Sequence, residues 1–167
     1  NADNTIKQSI FMFDSGRDAI PEHCEAHGVQ TDLKGYDFIK QGQIDWYKNS
    51  IKELEAEYGK FKSMVLMHIP IKEYEEVAKP DGNGNYIPTG EAEILFGEMR
   101  EDVGSSAYNS GLFDAIQELG STNAVFSGHD HLNDFCALYK GVYLVYAQCN
   151  GYNTYTAGER FGWPEEK

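Results

Sequence analysis

A strand, a long amphipathic helix and a second strand follow one another over residues 9–67, and no other feature of the chain constrains its fold as tightly. Ser9-Ile10-Phe11-Met12-Phe13 is an apolar, β-prone run, stopped by the turn residues Asp14-Ser15-Gly16. From Tyr36 to Tyr58 the residues Ile44, Tyr47, Ile51, Leu54 and Tyr58 recur at helical spacing, with Lys48, Lys52, Glu53, Glu55 and Glu57 on the other faces. This pattern predicts a helix over 36–58, closed by Gly59. The buried-strand run Ser63-Met64-Val65-Leu66-Met67 comes directly after it. Strand, helix and strand in that order predict a parallel crossover, and hence an α/β fold with a mixed sheet and flanking helices.

The other segments fill in this plan. Residues 17–35 are polar and without a clear period, so His23 and His27 are expected to be exposed loop histidines. Gly111 to Leu119 predicts a short helix with Leu112, Phe113, Ile116 and Leu119 on one face. Phe135 to Tyr139 and Val142 to Tyr146 flank Lys140-Gly141 as an antiparallel hairpin, and Gln148 onward reads as loop. Residues 71–108 form a long loop or insertion rich in turn residues, expected to overhang whatever site His68 belongs to. Glu73, Tyr74, Glu91, Glu101 and Tyr108 are its candidate contacts, although a solvated charge is the commoner role for a loop carboxylate. Asp81-Gly82-Asn83-Gly84-Asn85 lacks the terminal glutamate that a calcium loop requires, because Ala92 stands there.

Two strand ends carry the chemistry. His68 follows the run ending at Met67. After Ala124-Val125-Phe126 the chain turns at Gly128 and presents His129-Asp130-His131. Neutral imidazole is the commonest metal ligand, and three imidazoles at one edge of a sheet point to metal binding. An Asp- and His-rich turn is also ordinary loop chemistry, so the second strand-then-histidine segment is what favours a site.

His68-Ile69-Pro70 with Ile71-Lys72-Glu73-Tyr74, and Gly128-His129-Asp130-His131-Leu132-Asn133-Asp134, resemble the last two metal-binding motifs of the calcineurin-like metallophosphoesterases, in the purple acid phosphatase and Dcr2-like branch. Phe13-Asp14-Ser15-Gly16, Gln43-Ile44-Asp45-Trp46-Tyr47, Asn109-Ser110-Gly111-Leu112-Phe113 and Gly151-Tyr152-Asn153-Thr154-Tyr155 resemble that branch in the same order. The resemblance implies the C-terminal half of a metallophosphatase-type αββα sandwich, with Trp46 in the core behind the sheet. It implies two metal ions, iron, manganese or zinc, in the parent protein, and hydrolysis of phosphate esters by metal-bound water or hydroxide. His68 and His129 would bind one metal and His131 the other. Asp130, Asn133, Asp134 and Glu73 would support the ligands or face substrate. The family's upstream Asp-x-His, Gly-Asp-x-x-Asp and Gly-Asn-His-Asp/Glu motifs are not found here. The chain is therefore expected to be one truncated region, 1–167, lacking an N-terminal half and inactive alone, with no catalytic residue of its own and with Asn1-Ala2 as a cloning scar. A phosphorylated small molecule or phosphoprotein is the implied substrate. The alternative is a non-enzymatic α/β module or a mononuclear metal-binding domain.

A net charge of −13 with no basic stripe argues against a nucleic-acid or anionic-membrane surface. Cys24, Cys136 and Cys149 show no C-x-x-C spacing and read as ordinary thiols, with room for one disulfide. No signal peptide opens the chain and no run approaches the roughly 20 apolar residues of a membrane span, which leaves its compartment unspecified. Removing half of a sandwich would leave an apolar sheet face open, so self-association is expected.

Overall fold

The computed structural model describes residues 5–148, which covers every segment named above except Asn1-Ala2, Cys149 and the stretch beyond it. In chain order the elements are β1 (Gln8–Met12), α1 (Pro21–Ala26), α2 (Gln41–Tyr58), β2 (Lys62–Leu66), a 3-10 turn (Lys72–Glu76), β3 (Ala78–Pro80), β4 (Tyr86–Pro88), β5 (Ala92–Glu98), α3 (Leu112–Leu119), β6 (Thr122–Ser127), β7 (Asp134–Tyr139) and β8 (Val142–Tyr146). Six strands form one mixed sheet in the order β1-β2-β6-β8-β7-β5. The first four are parallel, and β7 and β5 continue the sheet antiparallel. The α/β expectation and the β1-α2-β2 crossover both hold.

Period-two alternation sorts the strand residues onto two faces. Phe11, Phe13, Val65, Met67, Val125, Leu144 and Tyr146 are buried on one face, in a single core with Ile44, Tyr47 and Ile51 of α2 and Leu112, Phe113 and Ile116 of α3. Tyr74 closes this core: fully buried, it packs on Phe135 and Tyr146, and its hydroxyl donates to the carbonyls of Val125 (2.8 Å) and Val145 (3.2 Å).

Among the described residues no helix covers the other face. The register aligns Met12, Leu66, Phe126, Val145, Cys136 and Phe96 in one row across all six strands. At its two edges Met12 is 74% and Phe96 64% exposed. A second row brings together Ile10, Met64, Ala124, Tyr143 and Leu138. A contiguous apolar face of this extent is rare on a monomer. Light scattering of the isolated chain should show concentration-dependent association, reduced by Met12→Lys with Phe96→Lys. A monodisperse monomer at high concentration would refute this.

Four details differ from the sequence reading. Helix α2 begins at Gln41, because residues 36–40 are extended: Tyr36 makes a β-bridge with Asp18, and Lys40 caps the helix with ψ of 147°. Residues 17–40 are a small lobe rather than a featureless loop. Pro21 starts α1, and Cys24 is buried with Val29 and Phe38 in a separate core. Trp46 is 49% exposed, its ring edge-on to Phe11 and Phe13, while Tyr47 fills the core position. Tyr74, a candidate loop contact, is instead a core residue. The stretch 71–108 contains the 3-10 turn, the β3–β4 hairpin and β5. Cys24 and Cys136 are free thiols.

Candidate functional site

Strands β2 and β6 are parallel neighbours, so the loops leaving their C-terminal ends start side by side, where open α/β sheets bind ligands. The Met67 amide donates to the Phe126 carbonyl (3.0 Å) and the Gly128 amide to the His68 carbonyl (3.1 Å). The Ser15 hydroxyl accepts the Ile69 amide (3.0 Å), tying in the loop after β1. Beyond these ties the two imidazoles meet: His129 Nδ1 stands 3.3 Å from His68 Nε2, with ring centroids 5.1 Å apart. His68 is exposed and His129 half-buried, in a left-handed backbone conformation (φ 87°). Burial holds the His129 imidazole below its usual pKa, against the Asp130 charge, and so favours the neutral form that ligates metals.

Two nitrogens bound to a shared ion at 2.0–2.1 Å, in tetrahedral geometry, stand roughly 3.4 Å apart. The His68–His129 pair fits that spacing. His131 is half-buried in the same turn. Among the described residues no group of three or more His, Cys, Asp or Glu side chains could hold a metal ion.

The carboxylates and the asparagine lie behind the histidines and bind a strap formed by residues 98–105. Asp130 is buried, accepting a short hydrogen bond from the Tyr146 hydroxyl and one from the Gly104 amide (2.8 Å). Burial pushes its carboxyl up, against both donors. Burial and the Asp130 charge likewise keep Tyr146 protonated. Asn133 is fully buried; its Oδ1 accepts the amides of Arg100 (2.8 Å) and Glu101 (3.1 Å), and its Nδ2 donates to the Glu101 carbonyl (3.2 Å). Asp134 accepts from Arg100 Nη1 (2.7 Å) and the Glu98 amide (3.1 Å). Glu101 is buried and accepts the Leu132 amide (2.7 Å). Glu73 sits apart from the histidines' hydrogen bonds, accepting from Asn109 Nδ2 (2.8 Å), and Tyr108 packs on Phe38. Glu91 is exposed.

Sequence reasoning missed Tyr36, Gly104, Arg100 and Tyr146. Each reaches the histidine loop from a distant part of the chain, and none carries a local motif.

The fold is an α/β sheet in which two adjacent parallel strands are each followed by a histidine-bearing loop, with the His68 and His129 imidazoles side by side. The chain is 34% identical over 148 residues to an Arabidopsis thaliana protein named "Probable inactive purple acid phosphatase 14", covering 81% of this chain and 33% of that protein. It is 30% identical over 154 residues to "Probable inactive purple acid phosphatase 28" of the same plant, covering 91% of this chain and 33% of that protein. It is 33% identical over 103 residues to "Phosphatase DCR2" of Saccharomyces cerevisiae, covering 61% of this chain and 16% of that protein. No protein-family model matches the chain. The chain belongs to the metallophosphoesterase branch of the purple acid phosphatases and the Dcr2 phosphatase. It spans about a third of the length of the plant relatives it matches. Among the described residues no helix is long and apolar enough to cross a membrane.

Proposed function

We propose that this chain supplies the last two histidine loops of a dinuclear metal centre that hydrolyses phosphate esters in its parent protein. The observation carrying this reading is the 3.3 Å approach of His68 Nε2 to His129 Nδ1 from adjacent parallel strands. Bound divalent or trivalent ions, iron, manganese or zinc, would supply charge neutralisation and an acidified water. The chain's own part is to present two imidazoles, His129 kept neutral by burial, on loops tied together through Gly128, Ser15 and the 98–105 strap. His131 is the ligand assigned to the second ion. The remaining ligands would come from polypeptide outside the matched third, which would also cover the open sheet face. A phosphorylated small molecule or a phosphoprotein is the proposed substrate.

Calorimetric titration of metal-stripped protein with Mn²⁺ and Zn²⁺ tests the reading. One ion per chain is expected, weakened about 100-fold or more by His68→Ala or His129→Ala, a loss at or above that for supporting residues around a metal. The isolated chain should not hydrolyse p-nitrophenyl phosphate. Two ions per chain would mean a complete centre on this chain. No binding at all would favour a second reading, a non-enzymatic module, to which the word "inactive" in the plant relatives' names lends weight.

A further inference from the structure

His129 holds a left-handed backbone conformation (φ 87°), which a non-glycine residue keeps only where its surroundings hold it there. Besides His68, Tyr36 and Gly104 approach its ring from outside its own loop. Tyr36 meets it edge-on, with centroids 4.4 Å apart and planes at 90°. Gly104 lies behind both: a Cβ built there would stand 2.9 Å from His129 Cδ2, 3.0 Å from Tyr36 Cε2 and 2.8 Å from Asp130 Oδ1. Gly104 has no left-handed φ, so glycine is needed there for closeness and not for backbone shape.

Tyr36 is itself held firmly. It is bridged to Asp18, with the Ala19 amide on the Gly35 carbonyl (2.9 Å) and the Asp37 amide on the Arg17 carbonyl (3.1 Å). Next to it the buried Asp37 carboxylate takes the Phe38 amide (2.9 Å), Lys40 Nζ and His23 Nδ1 (3.4 Å). Gly104 is pinned from the other side by the hydrogen bond that its amide donates to the Asp130 carboxylate (2.8 Å). The ring of His129 therefore stands between a wall from the small lobe and a gap left open in the strap.

We propose that Tyr36 and Gly104 are positioning residues for His129. Tyr36 blocks rotation of the ring away from His68, and the missing side chain at 104 gives the ring the space from which Nδ1 faces His68 Nε2. The lobe of residues 17–40 is then part of the site's construction. The proposal rests on the metal reading above only for its Zn²⁺-binding readout.

The test compares Gly104→Ala, Tyr36→Leu, Tyr36→Phe and the Gly104→Ala/Tyr36→Leu pair with the unaltered chain, following the ¹⁵N resonances of the His129 imidazole without metal, the Zn²⁺ dissociation constant and the melting temperature. Gly104→Ala and Tyr36→Leu should each shift the His129 resonances and weaken Zn²⁺ binding about 10–100-fold, the range for residues that orient a ligand. Tyr36→Phe should preserve both readouts. In the Tyr36→Leu background Gly104→Ala should cost less than in the parent, because the flexible leucine gives way to the new methyl. Unchanged His129 resonances in folded Gly104→Ala and Tyr36→Leu would overturn the proposal, as would shifts shared equally by His23 and His27 in step with a lower melting temperature. Should Gly104→Ala fail to fold, Tyr36→Leu decides by the same resonances. If the unaltered chain takes up no Zn²⁺, the metal reading fails and the metal-free resonances still decide the positioning.

Discussion

Gly97→Ala should cost about 3 kcal/mol, at the upper end of what overpacking exacts, and should detach the end of β5. Gly97 sits in the left-handed region (φ 76°), and a Cβ there would stand 1.6 Å from the Asp134 carbonyl oxygen and 2.7 Å from Phe135 Cα. Those are backbone atoms of the neighbouring strand, so no rotamer change relieves the clash. The β-bulge between Ile94 and Phe96 lies just before it, and the bend there sends the chain into the strap behind the histidine loop. Gly90→Ala is the control: its φ is 86°, but nothing lies within 4 Å of the added methyl, so only the conformational cost of roughly 1–2 kcal/mol should appear. Chemical denaturation would measure both. Equal losses at the two sites would show that the strands do not approach so closely.

Asn133→Ala should cost about 3 kcal/mol through unsatisfied main-chain groups. The side chain serves the Arg100 and Glu101 amides and the Glu101 carbonyl, all in a fully buried position, and alanine leaves them without that partner. Since these groups begin the strap, the variant should also speed hydrogen exchange at the Arg100 and Glu101 amides more than at Val65 in the sheet centre. Asn133→Asp is a finer probe. It keeps the acceptor for the two amides but sets a carboxylate oxygen against the Glu101 carbonyl, so it too should destabilise, with less exposure of the amides. Unchanged exchange in Asn133→Ala would mean that the strap is held elsewhere.

Whatever rests on local periodicity was legible in the sequence. The stripe of Ile44, Tyr47 and Ile51 is the buried face of α2, and the alternation in the strands sorts Val65 and Val125 into the core. Helix α2 starts later than the sequence predicts because a β-bridge to Asp18 and the buried Asp37 hold Tyr36 to Lys40 extended. Trp46 was misjudged for a related reason: a large aromatic next to a core tyrosine on a helix cannot share its direction, and Tyr47 occupies the inward one.

By itself the sequence determined the α/β class, the β1-α2-β2 crossover and the two strand ends from which His68 and His129 project, all of which follow from residue spacing and strand order, properties of the linear chain. The family came from the likeness of ordered motifs to known proteins. Only the tertiary structure decided that Nδ1 of His129 meets Nε2 of His68, that Asp130 and Asn133 hold a strap, that Tyr36 reaches the site, and that among the described residues one sheet face carries no helix. Such contacts join residues 26 to 93 positions apart, as in Gly104 with Asp130 and Tyr36 with His129, and are set by how strands and loops pack in space. No local pattern encodes that packing.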